Sequence, residues 1–150
     1  MPGTTIFPAG QRLPLPGVSG RTLTGGKLGL AADRGHVIVL NFWASWCSVC
    51  QQEAPALSEA ARQFTPSGVR FVGVDVADNL ASAGAYMQHH GLRYTSLSDP
   101  GDLIAAEFNR LIPVAALPST LVISPDGRIA GRVIGAASDY DLRRLIKAAL

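Results

Sequence analysis

Two cysteines stand three residues apart in a chain of 150, in the order Cys47-Ser48-Val49-Cys50. They are the only cysteines present, so a framework of several structural disulfides is excluded. A structural zinc site needs four ligands. The remaining soft ligands are His36, His89 and His90, and the adjacent pair His89-His90 lacks the gap of a zinc finger. A pair of inert buried thiols is the other weak alternative, since free cysteine often behaves as a small core residue. The stronger reading is a dithiol that opens and closes as a disulfide. Its position favours this. Val37-Ile38-Val39-Leu40-Asn41-Phe42-Trp43 reads as a buried strand. Gln51 to Phe64 reads as a helix, with Ala54, Leu57, Ala61 and Phe64 at helical spacing and Pro55 expected to kink it. The unpaired N–H groups of a helix start favour thiolate over thiol. Cys47 is therefore expected to attack, and Cys50, one turn further in, to be less exposed and to resolve.

The elements that must hold this pair fit one domain. Hydrophobic residues make up 47% and charged residues 16% of the chain, a globular composition rather than a disordered one. A net charge of +2 gives no case for nucleic acid. The longest run of large aliphatics, Val37–Leu40, falls far short of the ~20 residues that span a bilayer. Met1-Pro2-Gly3-Thr4 has neither a basic nor an apolar leader region, so the chain reads as cytoplasmic or as the mature part of an exported protein.

Residues 1–20, rich in proline and glycine, read as an irregular lead-in, and residues 21–150 as the folded domain. A second buried strand is expected at Val69–Val76, completing a right-handed β-α-β unit with the cysteine helix. A helix from Asn79 to His90 ends at Gly91. A short strand follows at Tyr94–Leu97 and a helix at Asp102–Arg110. Thr120–Ile123 and Arg128–Ile134 form a hairpin around Pro125-Asp126-Gly127, and Ser138 caps a last helix that buries Leu142, Leu145, Ile146 and Leu150. Alternating strands and helices ending in a hairpin make an α/β fold, a central mixed sheet with helices on both faces.

Phe42-Trp43-Ala44-Ser45-Trp46-Cys47-Ser48-Val49-Cys50, followed by Pro55, resembles the active-site stretch of thioredoxin-fold proteins. Asn41 and Glu53, three positions after the second cysteine, narrow the resemblance to the TlpA/ResA-like thiol–disulfide oxidoreductases. Leu117-Pro118-Ser119-Thr120-Leu121-Val122-Ile123 is similar to the family's cis-proline segment. The resemblance spans roughly residues 13–149. It implies a thioredoxin-like fold with a short N-terminal β extension, and for Arg21 to Leu30 a hairpin. It departs at Val49, where many relatives have proline, so the family's redox potential does not transfer.

The resemblance also implies roles. Cys47 is the nucleophile and Cys50 the resolving thiol. Glu53 is the base that deprotonates Cys50; its plainer role would be to stabilise the helix dipole. Trp46 is expected beside the attacking sulfur, with Trp43 and Phe42 in the core. Leu117, before a cis Pro118, would keep backbone groups free to pair with a substrate segment, whereas Pro113 reads as an ordinary turn proline. His36, His89 and His90 read as surface or loop residues, and Arg143, Arg144 and Lys147 as a solvated helix face. No metal or cofactor is expected.

The function so implied is exchange of the Cys47–Cys50 disulfide with protein substrates, apocytochrome c among them in relatives. The expected protein is an extracytoplasmic reductant, monomeric, with a membrane thiol-reductase as electron donor. The full-length protein would be exported and in some relatives membrane-tethered, with no leader or anchor in this chain. An oxidant that installs disulfides is the alternative. A peroxidase is disfavoured by Ala44, where peroxiredoxins carry threonine. A copper or haem chaperone on the same fold is disfavoured because no histidine follows His90.

Overall fold

The structure is a computed structural model that describes residues 3–114 and 116–150. Its centre is the strand that leads to the cysteines. This strand, Ile38–Trp43, is buried at every position. It is the fourth in the chain (β4). It lies between Arg70–Val76 (β5), which it pairs in parallel, and Ser119–Ile123 (β7), which it pairs antiparallel. Thr95–Asp99 (β6) adds in parallel to the far side of β5. Ile129–Ile134 (β8) adds antiparallel to β7. A strand covered on both faces has no polar side to show, which is why β4 reads as an unbroken apolar run.

The N-terminal expectation needs correction. Gly3–Ile6 (β1) is not irregular: it pairs antiparallel with β8, so the sheet has six strands in the order β1-β8-β7-β4-β5-β6. Residues 1 and 2 of the expected tail lie outside the described residues. Ser19–Arg21 (β2) and Lys27–Gly29 (β3) form the expected hairpin, which begins two residues early. A bridge from Thr22 to Leu97 lays it along β6. The N-terminal segment thus extends the sheet beyond β8 and lies against β6 at the other edge, where backbone groups would otherwise be unpaired.

Helix α1 spans Ser48–Phe64, starting three residues before Gln51, with Cys47 as its N-cap and Pro55 inside it. Leu80–His89 (α2) is capped by Asn79, whose Oδ1 accepts from Ser82 N at 2.8 Å. Gly91 follows it at φ 66°. Asp139–Ala149 (α4) starts in a full capping box between Ser138 and Asp141. It buries Leu142, Leu145 and Ile146 completely, while Leu150 is exposed rather than buried. The expected helix at 102–110 is only Leu103–Ala106 (α3). Asp99 accepts from the amides of Ile104 and Ala105 at 3.0 and 2.8 Å, and turns after α3 bring Phe108 edge-on to Phe42 at 5.4 Å.

Phe42 and Phe108 thereby sit on one face of the sheet. Asn41 and Trp43, one residue either side, face the opposite one, where Asn41 meets Glu53 of α1 and Trp43 stacks on Tyr86 of α2 at 4.8 Å. Beneath Trp43 the indole N–H donates to Ser96 Oγ at 3.0 Å. A Cβ on Gly73 would lie 2.6 Å from that Oγ and 2.7 Å from the indole nitrogen. Gly73→Ala is therefore expected to break this hydrogen bond and destabilise the protein by about 2 kcal/mol, lowering Tm by roughly 4–8 °C. Thermal unfolding followed by circular dichroism checks it.

Candidate active site

Cys47 and Cys50 are joined as a disulfide across the first turn of α1. The backbone N–H of Cys50 donates to Cys47 Sγ at 3.1 Å, and Gln51 N–H donates to the Cys47 carbonyl at 3.3 Å. The helix start therefore aims one of its N–H groups, that of Cys50, at the first sulfur. An N–H placed there is the kind of donor that favours a thiolate over a thiol. Exposure differs less than expected: Cys47 is 7% exposed and Cys50 2%. Both sulfurs are mostly covered in the oxidised form, and Cys47 keeps only a narrow window.

The rim of that window is apolar. Trp46 is 62% exposed and Val49 40%. The Trp46 ring is fixed by its indole N–H, which donates to the Ala77 carbonyl at 2.9 Å. The Leu117–Pro118 bond is cis. It precedes β7, whose first residue, Ser119, is in register with Phe42. It thus sits at the end of the sheet where β4 runs into Cys47. Pro118 is buried, and its carbonyl accepts from Gly135 N–H at 2.9 Å. Leu117 is half-buried and, among the described residues, makes no backbone hydrogen bond outside the regular elements.

Glu53 lies beyond the first turn of α1, on the same buried face as Cys50, and is 2% exposed. Stabilising the helix dipole is thus not its place. One carboxylate oxygen accepts from Asn41 Nδ2 at 2.8 Å and the other from the Ala137 amide at 2.7 Å. Burial pushes its pKa from 4.5 up to about 7, against the opposing pull of those two donors. An acid held near neutrality can both take and return a proton at physiological pH. Burial, and after it the charge of Glu53, raises the phenols of Tyr86 and Tyr94.

The three histidines lie apart from the sulfurs' hydrogen bonds. His36 Nδ1 meets the Gly68 carbonyl at 2.9 Å, and His89 is exposed. His90 is half-buried against Tyr86, with ring centres 4.4 Å apart, so it is less a surface residue than expected. The sequence reading did not single out Ser45 and Asp78, which meet beside Trp46, nor the buried Asp75 behind Asp78 in the chain, nor Ala137 as a partner of Glu53.

A family model described as the AhpC/TSA family matches residues 10–132. The chain is 27% identical over 126 residues to the thiol-disulfide oxidoreductase ResA of Bacillus subtilis, covering 82% of this chain and 68% of that protein. It superposes on the crystal structure of a DsbF homologue from Corynebacterium diphtheriae with a TM-score of 0.90 at 26% identity, covering 97% of this chain and 92% of that one. A secreted Mycobacterium tuberculosis disulfide oxidoreductase homologous to E. coli DsbE superposes with a TM-score of 0.74, also at 26% identity, covering 88% and 93%.

Proposed function

The chain belongs to the AhpC/TSA family and is a TlpA/ResA-like thiol–disulfide oxidoreductase of thioredoxin fold, and from that premise we propose that it is an extracytoplasmic reductant of protein disulfides. What supports the direction is the absence of any charged or histidine partner at Cys47 among the described residues. Among the described residues its Sγ has one hydrogen-bond donor, the Cys50 amide, and the intervening Ser48 and Val49 bring no charge. A strong oxidant is one whose reduced form is stabilised; beyond the helix start no neighbouring charge adds to that stabilisation on Cys47, and we read the dithiol as the better electron donor. The location outside the cytoplasm is supported by the Mycobacterium tuberculosis neighbour, which is described as secreted.

In this reading the Cys47 thiolate attacks a substrate disulfide, and one substrate sulfur leaves as a thiolate. Glu53 takes the proton of Cys50. The Cys50 thiolate then attacks Cys47 Sγ, forms the intramolecular disulfide and releases the second substrate thiol. A membrane thiol-reductase returns the electron pair. The substrate strand pairs with the free backbone of Leu117, and Trp46 packs on the substrate. Apocytochrome c, with its C-x-x-C-H site, is the substrate class proposed.

Two measurements test this. Trp46→Ala is expected to raise KM for a protein disulfide about tenfold, with a smaller effect on kcat, because an exposed tryptophan anchors binding without touching the reacting bond. The direction is read by offering the reduced protein a disulfide-closed C-x-x-C-H peptide and the oxidised protein a reduced, unfolded polypeptide. Faster reduction of the peptide is the expected result. Faster oxidation of the polypeptide would make the protein an installer of disulfides.

A further inference from the structure

The segment that enters Cys47 is tied to the loop after β5 by three hydrogen bonds. Asp78 Oδ2 accepts from the Ser45 amide and Oδ1 from the Ser45 hydroxyl, both at 2.7 Å. The Trp46 indole donates to the Ala77 carbonyl at 2.9 Å. Ala77 itself has φ 47°, a left-handed conformation disfavoured for a residue with a Cβ. Its N–H is anchored on the Asp99 carbonyl at 3.1 Å. Ordering the loop in this shape requires something behind it.

Asp75 stands there. It is 2% exposed, in register with Trp43, and one of its oxygens has no partner. Its carboxyl lies close enough to that of Asp78 to hydrogen-bond to it once one of the two is protonated. Asp75 is buried while Asp78 is half-buried and reaches water, so ionising Asp75 beside an ionised Asp78 is the costly step, and the pair holds one proton between them, on Asp75.

We propose that Asp75 and Asp78 are positioning residues for Cys47: protonated Asp75 donates to Asp78, Asp78 clamps Ser45, and loss of the shared proton releases the Ser45–Trp46 segment.

The electrostatics agree with this order. Burial, then the hydrogen bond to Asp78, then the charges of Asp78 and Asp99, push Asp75 up to about 9. Burial acts against ionisation of Asp78 as well, but the hydrogen bonds from Asp75, Ser45 and Asn79 outweigh it and hold its pKa low. The charged groups that bear on Asp75 are thus Asp78 from its own loop and Asp99 from the end of β6, both acids. From α2 the nearest titratable ring over Trp43 is Tyr86, pushed up to about 12. No basic side chain offsets the pair among the described residues.

The test uses the oxidised protein, in which neither cysteine titrates. Acrylamide quenching of Trp46 is followed from about pH 7 to about pH 10.5, a range that brackets a carboxyl raised this far. Trp43, 3% exposed, contributes little. Quenching is expected to rise in a one-proton transition near 9. Asp75→Asn keeps a donor toward Asp78, so its quenching should stay at the low-pH level throughout. Asp78→Ala should show raised quenching at every pH and, when reduced, exchange with a model disulfide about tenfold or more slowly, the cost of a misplaced nucleophile. In the wild-type protein the Ser45 amide resonance should shift with the same midpoint. A wild type without the transition, an unmoved Ser45 resonance, or an unchanged transition in Asp75→Asn overturns the proposal. The proposal rests on Cys47 being the attacking thiol. Intact exchange with no optical transition rejects the positioning alone, whereas an optical transition in a protein that exchanges no disulfide rejects the reading of the site.

Discussion

Cys47→Ser is expected to abolish disulfide exchange, lowering the rate by at least about 10³-fold, as removal of a nucleophile does. Cys50→Ser is expected to behave differently. It leaves the attacking step intact but removes the resolving one, so a mixed disulfide between Cys47 and the substrate accumulates. The asymmetry comes from position on one helix. Cys47 is the N-cap, beside an exposed Trp46 and Val49. Cys50 is one turn inside, on the buried face shared with Glu53. Mass spectrometry of each variant after reaction with a disulfide-closed peptide checks this. The adduct should appear on Cys47 in Cys50→Ser, and none should form in Cys47→Ser. An adduct on Cys50 would reverse the two roles.

Glu53→Gln is expected to slow resolution of that mixed disulfide by about 10²-fold, within the range of a lost general base. The pH dependence gives the sharper signature. A base acts when ionised, so the wild-type resolving rate should rise through about pH 7 and then level, whereas the variant should be slow and flat there. Stability moves the opposite way. The folded pKa of Glu53 is raised from 4.5 to about 7, so its neutral form is the one folding favours. The stability this carries is complete below 4.5, declines as pH rises, and is gone once pH passes about 7. The displacement amounts to about 3 kcal/mol. Urea unfolding of the oxidised proteins at acid and alkaline pH should show the variant gaining on the wild type by that amount. The glutamine NH2 must face either the Asn41 amide or the Ala137 N–H, both of them donors, a cost the protonated wild type shares at acid pH and the ionised wild type does not.

What the sequence could show depended on whether a feature was local. The apolar run of β4, the cysteine spacing and the helix after it are contiguous, so strand, turn and helix were legible together. Ser138 and Asp141 likewise form their capping box within four residues. Strand β1 was not legible: its four residues include a glycine, none is fully buried, and its pairing comes from β8 at the other end of the chain. The short α3 reflects a contest between helix-forming residues and the need to seat Phe108 on Phe42, which is tertiary packing. Glu53 was legible only through resemblance, since its environment is assembled from Asn41 and from Ala137, 84 positions away. Asp75 lies inside a run that reads as a buried strand, and nothing beside it in the sequence marks it out. Its meeting with Asp78 and Ser45 depends on the turn that follows β5, and no helical or strand periodicity brings those positions together.

The central claim, a reversible dithiol that gives electrons to protein disulfides, is tested most directly by the reduction potential of Cys47 and Cys50. The protein is equilibrated in glutathione or dithiothreitol buffers, and its free thiols are counted by alkylation. The account predicts one two-electron transition near or below the roughly −270 mV of thioredoxin. A transition near the roughly −120 mV of DsbA, or no reversible transition at all, would contradict it.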